Sequence, residues 1–297
     1  MRRRHALLLA SGLLRAQRMT PVEELANTFE MEAMARQKLP PELFREIAGS
    51  DRAAFDRITF RPRMMVNTLT LDLTTELFGE KHFAPILVGP LALQRRFHPE
   101  GEKAMHAGAA AARASVVAPA EMSVPITSSW VQLAPGAKAP AGAKVVMVGA
   151  STDWKALRAS TKLPVVVKGV MNPQDARTAL AQGADGLIVS AYRTPSTSGI
   201  ASSIAVLPEI AAEVQGKVPL LIDGSFRRGS DVLKALALGA RAVLVGRPVL
   251  WGLAAYGARG VQQVLEQLQT ELARDMAMCG LQNCRQATPR YVRIHRR

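Results

Sequence analysis

The chain has 297 residues, 48% of them hydrophobic, and a net charge of +14 from 38 Lys and Arg against 24 Asp and Glu. That length suits one large α/β domain with a sizeable core. Two cysteines, Cys279 and Cys284, support neither a disulfide framework nor metal-ligand spacing, and no stretch reaches the roughly 18 apolar residues of a transmembrane helix.

The charge draws anions and nucleic acids nonspecifically. The basic residues are nevertheless spread along the chain, with short clusters at both ends. No recognition helix or zinc motif accompanies them, so a specific nucleic-acid partner is not expected. At the N-terminus, Met1-Arg-Arg-Arg-His5 precedes the apolar stretch Ala6–Leu14, and Leu14-Arg15-Ala16 before Gln17 is an imperfect cleavage site. Residues 1–17 therefore read either as an export signal of twin-arginine type or as a short amphipathic helix that is retained. Periplasmic and cytoplasmic locations both stay open.

Residues 18–84 form an N-terminal extension. Pro21 to Ala48 reads as helical with polar breaks, its apolar face supplied by Val22, Leu25, Ala26, Phe29, Met34 and Leu43. From residue 85 to 297, short apolar runs alternate with helical patterns. Strands are expected at Ile86–Gly89, Ser115–Ala118, Trp130–Leu133, Lys144–Gly149, Pro164–Lys168, Gly186–Ser190, Pro219–Ile222 and Ala242–Val245. Helices are expected from His98 to about Arg113, and at Trp154–Ser160, Pro173–Gln182, Pro208–Val214, Asp231–Leu238 and Val261–Met278. Such alternation implies a parallel sheet, and eight strands imply a closed (β/α)8 TIM barrel with an N-terminal helical extension. Ala134–Ala143 holds too much Gly and Pro for a crossover helix.

Residues 219–248 carry the strongest signal. A strand ends at Asp223-Gly224, and Arg227, Arg228 and Gly229 fill a loop. Ser230 or Asp231 is placed to cap the next helix, and Gly239 to end it. The following strand stops at Gly246-Arg247-Pro248. Glycines there let backbone N–H groups approach a ligand, and arginines offer a planar fork that suits phosphate. The last two strands of a (β/α)8 barrel often build a phosphate site in this way.

These residues, IDGSFRRGSDVLKALALGA followed by VGRPVLWGLA, resemble the C-terminal signature of the FMN-dependent α-hydroxy-acid dehydrogenases and oxidases, the family of glycolate oxidase, lactate oxidase and mandelate dehydrogenase. Pro62-Arg63 and Thr74-Thr75-Glu-Leu-Phe-Gly79 are similar to segments that lead that family's chains into the barrel. The resemblance implies FMN as cofactor, and no GxGxxG fingerprint argues for a dinucleotide. It further implies that Pro90, Leu91 and Ala92 lie beside the isoalloxazine ring and that Gln132 bonds its pyrimidine edge. By the same resemblance Lys168 stabilises the anionic reduced flavin, and Asp223, Gly224, Arg227, Gly246 and Arg247 hold the ribityl chain and phosphate.

The catalytic part departs from the family's pattern. Where the family has SNHGGRQLD after its sixth strand, this chain has Ser190-Ala-Tyr-Arg-Thr-Pro-Ser-Thr-Ser198. Tyr192 stands for the histidine base and Pro195 for the arginine that clamps the substrate carboxylate. Ala134 replaces the tyrosine of QLY, Ser225 replaces a glycine of DGG, and a long segment after the fourth strand is absent. Tyrosine, near pKa 10, is a poor base unless its pKa is strongly lowered. Tyr192 and Arg193 are the remaining candidates for catalysis, with Lys168 placed to lower the pKa of Tyr192. Two readings follow: an FMN-binding oxidoreductase with an altered, unidentified small-molecule substrate, or a noncatalytic flavin-binding barrel. Homo-oligomerisation stays open.

Overall fold

The computed structural model describes residues 19–49, 51–120, 128–149, 152–191 and 201–295. Eight parallel strands form one sheet: β1 (Ile86–Val88), β2 (Val117–Ala118), β3 (Trp130–Gln132), β4 (Val145–Gly149), β5 (Val165–Val170), β6 (Gly186–Val189), β7 (Leu220–Asp223) and β8 (Ala242–Val245). Neighbours in sequence are neighbours in the sheet from β2 to β8, and β8 pairs with β1 through Val243 and Ile86. A bridge between Val88 and Val116 closes the ring, with the Val88 N–H donating to the Ser115 carbonyl at 2.9 Å. This is a (β/α)8 barrel.

The strands are β-branched runs bounded by turn residues, and they are apolar on both faces because each is covered inside and outside. Leu87, Val117, Trp130, Met147, Ile188 and Leu244 fill the interior, while alternate residues such as Ile86 and Val88 pack outward against helices. Strand existence and order are as the sequence predicts. The glycine- and proline-rich stretch 134–143 forms no helix, and the pairing of β3 with β4 continues across it.

Nine α-helices lie among the described residues. Three precede the barrel: α1 (Thr28–Lys38), α2 (Pro41–Ile47) and α3 (Ala53–Asp56). Six follow: α4 (Gly101–Ala111), α5 (Trp154–Ser160), α6 (Pro173–Ala181), α7 (Ser203–Val214), α8 (Gly229–Ala237) and α9 (Arg247–Met278). A hairpin, Thr75–Leu77 with Glu80–His82, covers the end of the barrel where the strands begin. Leu77 is buried in the interior cluster, and the Phe78 ring meets Trp130 edge-on at 5.4 Å. Gly186 opens β6 without a side chain because a Cβ there would lie 2.7 Å from that Phe78 ring. The Trp130 indole donates to Glu80 at 2.9 Å, tying hairpin to barrel.

Three local readings are corrected. Helix α7 begins at Ser203, so Pro208 sits inside it rather than at its start. Helix α8 is capped by Arg228, not Ser230 or Asp231; Asp231 lies in the first turn, where its carboxylate accepts the Arg227 and Arg228 N–H groups at 2.8 and 2.9 Å. Helix α9 begins at Arg247 rather than Val261 and bends sharply at Gly257, where φ is 61° and ψ is −139°. The two arms fold close enough that a Cβ on Gly252 would meet the Gly260 carbonyl at 2.4 Å. Gly239 does follow the end of α8 with φ +108°. Both cysteines are free thiols, and among the described residues no helix is long and apolar enough to cross a membrane.

Candidate functional site

The β-strand carboxyl ends gather most of the residues singled out from the sequence. After β1, the chain turns through Gly89, whose N–H donates to the Val245 carbonyl at 2.9 Å, and continues through Pro90, Leu91 and Ala92. Buried Gln94 donates to the Leu91 carbonyl at 2.9 Å and fixes this loop. A Cβ on Gly246 would lie 3.5 Å from Leu91, so the β1 and β8 loops touch. Gln132 ends β3 and is half-buried.

Lys168, in β5, is 6% exposed, and its ammonium contacts the carboxylate of Asp223 at the end of β7. Burial pulls Lys168 down to about 7, because an ammonium loses water there; the carboxylate beside it opposes that loss. Gly224 follows with φ +112°, a conformation that side chains avoid, and lies against Ser203.

Arg227 and Arg247 come from different strand ends and converge. Arg227 is 3% exposed, lies 4.5 Å over the Trp251 ring and donates to the Phe226 carbonyl at 2.8 Å. Both guanidinium groups donate to one acceptor, the Gly49 carbonyl, at 3.1 Å from Arg227 and 2.5 Å from Arg247. Burial pulls Arg227 down to about 9, and the neighbouring charge of Arg247 pushes the same way. Burial also lowers Arg247. Two neighbouring cations held out of water are relieved by an anion, and a dianionic phosphate relieves both. The first arm of α9, before the bend at Gly257, adds the positive end of a helix at the same place. This donor set fits the terminal phosphate of FMN.

Sequence reasoning missed the support this loop receives from the N-terminal helices. Arg52 grips Asp231 with two bonds, at 2.7 and 2.9 Å, and also donates to the Ser225 carbonyl at 2.8 Å. Thr28 donates to the Arg227 carbonyl at 2.6 Å, and Trp251 to the Ile47 carbonyl at 2.8 Å. Glu32 accepts the Gly49 N–H at 2.6 Å and faces the arginine pair as a counter-charge. Apart from the bond between Glu32 and Gly49, nothing in the local pattern of residues 28–52 marks these contacts, since the partners lie 173 to 204 positions away. Tyr192, Arg193 and Pro195 lie outside the described residues; before them, buried Ser190 directly follows β6.

Comparison with known proteins points the same way. Residues 45–145 and 134–294 match the family described as FMN-dependent dehydrogenase. Glycolate oxidase of Spinacia oleracea is 29% identical over 354 aligned positions, covering 91% of this chain and 96% of the relative. Glycolate oxidase 1 of Zea mays is 30% identical, with 91% and 96% covered. A mandelate oxidase crystal structure with benzoyl-formic acid superposes with a TM-score of 0.83 at 31% identity, covering 91% of this chain and 98% of that one. The alignment to the spinach enzyme spans 354 positions against 297 residues here, so this chain reaches nearly the relative's full span with internal segments missing.

Proposed function

This chain belongs to the FMN-dependent dehydrogenase family, and on that premise we propose that it is an FMN-binding oxidoreductase acting on a CH–OH group whose substrate differs from the small 2-hydroxy acids of its relatives. The observation that carries the cofactor part is the convergence of buried Arg227 with Arg247 at the ends of β7 and β8. Bound FMN supplies a two-electron acceptor.

In this reading the chain's own groups do the holding. Arg227 and Arg247 exchange the Gly49 carbonyl for phosphate oxygens, and Asp223 and Gly224 meet the ribityl chain. Pro90, Leu91 and Ala92 wall the ring, and Gln132 donates to its polar edge. Lys168 offers a cation whose low pKa makes its charge responsive to what binds beside it.

The reaction further needs a group that takes the substrate's proton and a clamp for its carboxylate. Histidine serves as base near neutral pH, and Tyr192 occupies the position that matches the family's histidine. With Pro195 at the clamp position, a free carboxylate loses its bidentate partner. Arg193 is then the nearest cation in sequence to receive an anionic substrate. The second reading, a flavin-binding barrel without turnover, is favoured by the same two replacements. An absorption spectrum of the purified protein, followed by anaerobic addition of 2-hydroxy acids and larger alcohols, decides between them. Flavin bleaching by any candidate supports the oxidoreductase. A flavin that stays oxidised with the whole panel supports the noncatalytic barrel, and a colourless protein that cannot be loaded with FMN overturns both.

A further inference from the structure

Away from the strand ends, Ile58–Phe60 pairs antiparallel with Val292–Ile294. The pairing joins two stretches of one composition. Residues 57–71 hold three arginines and residues 282–297 hold five, and neither stretch contains an acidic residue. Their contact continues beyond the strands: the Arg61 N–H donates to the Tyr291 carbonyl at 2.7 Å, and Gln282 donates to the Asn67 carbonyl at 2.9 Å.

On this joint surface Met64, Met65 and Leu69 are 78%, 102% and 92% exposed, and Ile294 is 51% exposed. Of seven large hydrophobic side chains exposed among the described residues, these are four. Arg61, Arg63 and Arg293, in the same two paired stretches, are exposed as well. Apolar side chains left in water within an arginine field mark an interaction surface.

We propose that this face docks on an anionic lipid surface, with the arginines against the headgroups and Met64, Met65 and Leu69 entering the boundary with the acyl chains. Charge selects this occupant. A two-fold contact with a second copy of the chain would set arginine against arginine. Residues 1–18 carry five arginines and no acidic residue, so they do not complement the face either. Nucleic acid would satisfy the arginines and leave the methionines and the leucine in water. The contact is peripheral, and the face shares no residue with the arginine pair that receives phosphate.

The test is co-sedimentation of the full-length protein with vesicles of phosphatidylglycerol and phosphatidylcholine, against vesicles of phosphatidylcholine alone, at about 0.15 M salt. Binding to the anionic vesicles only, weakening as salt rises, is expected. Arg61→Glu with Arg63→Glu should weaken partitioning by more than the roughly fivefold that each neutralised arginine contributes. Met64→Ser with Met65→Ser and Leu69→Ser should weaken it at unchanged charge. All five positions are exposed, and an unchanged melting temperature shows that the variants fold. Absence of binding to anionic vesicles overturns the proposal, as does binding that both variants leave intact. Binding to a DNA duplex as tight as to the vesicles, lost in the arginine variant and kept in the serine variant, overturns it in favour of nucleic acid.

Discussion

At the scale of single residues, the proposed cofactor site turns on two arginines and a lysine. Arg247 reaches the Gly49 carbonyl from the first turn of α9, while Arg227 is fixed over Trp251. Replacing Arg247 by Ala removes a charge-assisted contact to phosphate, worth about 1.5–3 kcal/mol. FMN affinity, read by quenching of flavin fluorescence in a titration, should fall by about ten- to a hundredfold. Unchanged affinity would show that the phosphate lies elsewhere. Lys168 sets a pH dependence. Its folded pKa of about 7 lies below the ordinary lysine value of 10.5, so between these values the unfolded chain binds more protons than the folded one. Stability of the FMN-free protein should therefore rise with pH across that window, and the gain should be lost as pH falls toward 7. Urea midpoints of the parent and of Lys168→Met at pH 7 and 9.5 test this: the variant's midpoint should climb less. Equal slopes would mean that Lys168 keeps its proton throughout.

At the scale of elements, the last helix and the N-terminal helices are shaped by contacts that local pattern does not announce. Helix α9 folds back on itself at Gly257, whose backbone angles are almost closed to other residues, and the ring of His98 lies 3.0 Å from where a Cβ would stand. Gly257→Ala should cost about 1–3 kcal/mol, measured by urea denaturation. A loss below a few tenths would mean that the bend tolerates a side chain. The N-terminal segment braces the loop after β7 through Arg52, which lies between the Phe29 and Phe55 rings while gripping Asp231. Arg52→Ala leaves the fully buried Asp231 carboxylate with only backbone partners there. It should lower the melting temperature and weaken FMN binding together, whereas Arg52→Lys should restore charge without the two-pronged grip and recover only part of either. Calorimetry and the same flavin titration would show it, and a variant losing stability with full FMN affinity would count against the brace.

For the whole molecule, the expected behaviour is a flavoprotein that oxidises glycolate, lactate or mandelate slowly. A general base contributes 10²- to 10⁴-fold, and in the proposed reading base and clamp are replaced together. Tyr192→His alone should not restore brisk flavin reduction by lactate in stopped-flow, because Pro195 leaves the carboxylate unheld; rapid reduction in the unmodified protein would refute this. The eight strands, the order of the barrel and the loops carrying Lys168, Asp223, Arg227 and Arg247 were legible from the sequence. Each is a local property: an apolar run long enough for one strand, then glycine and charge where it must end. That Tyr192 and Pro195 stand where the family has its histidine and arginine is a reading of the sequence alone, since both positions lie outside the described residues. Tertiary structure decided what local pattern does not encode. Pro208 lies within α7, and the bend at Gly257 lets α9 begin fourteen residues before its clearest periodicity. Phe78 plugs the barrel because Gly186, over a hundred positions later, leaves room for it. Gly49, Thr28 and Arg52 meet the loop after β7 only once the chain has closed its ring, since side-chain and backbone bonds across such separations depend on the fold and not on spacing.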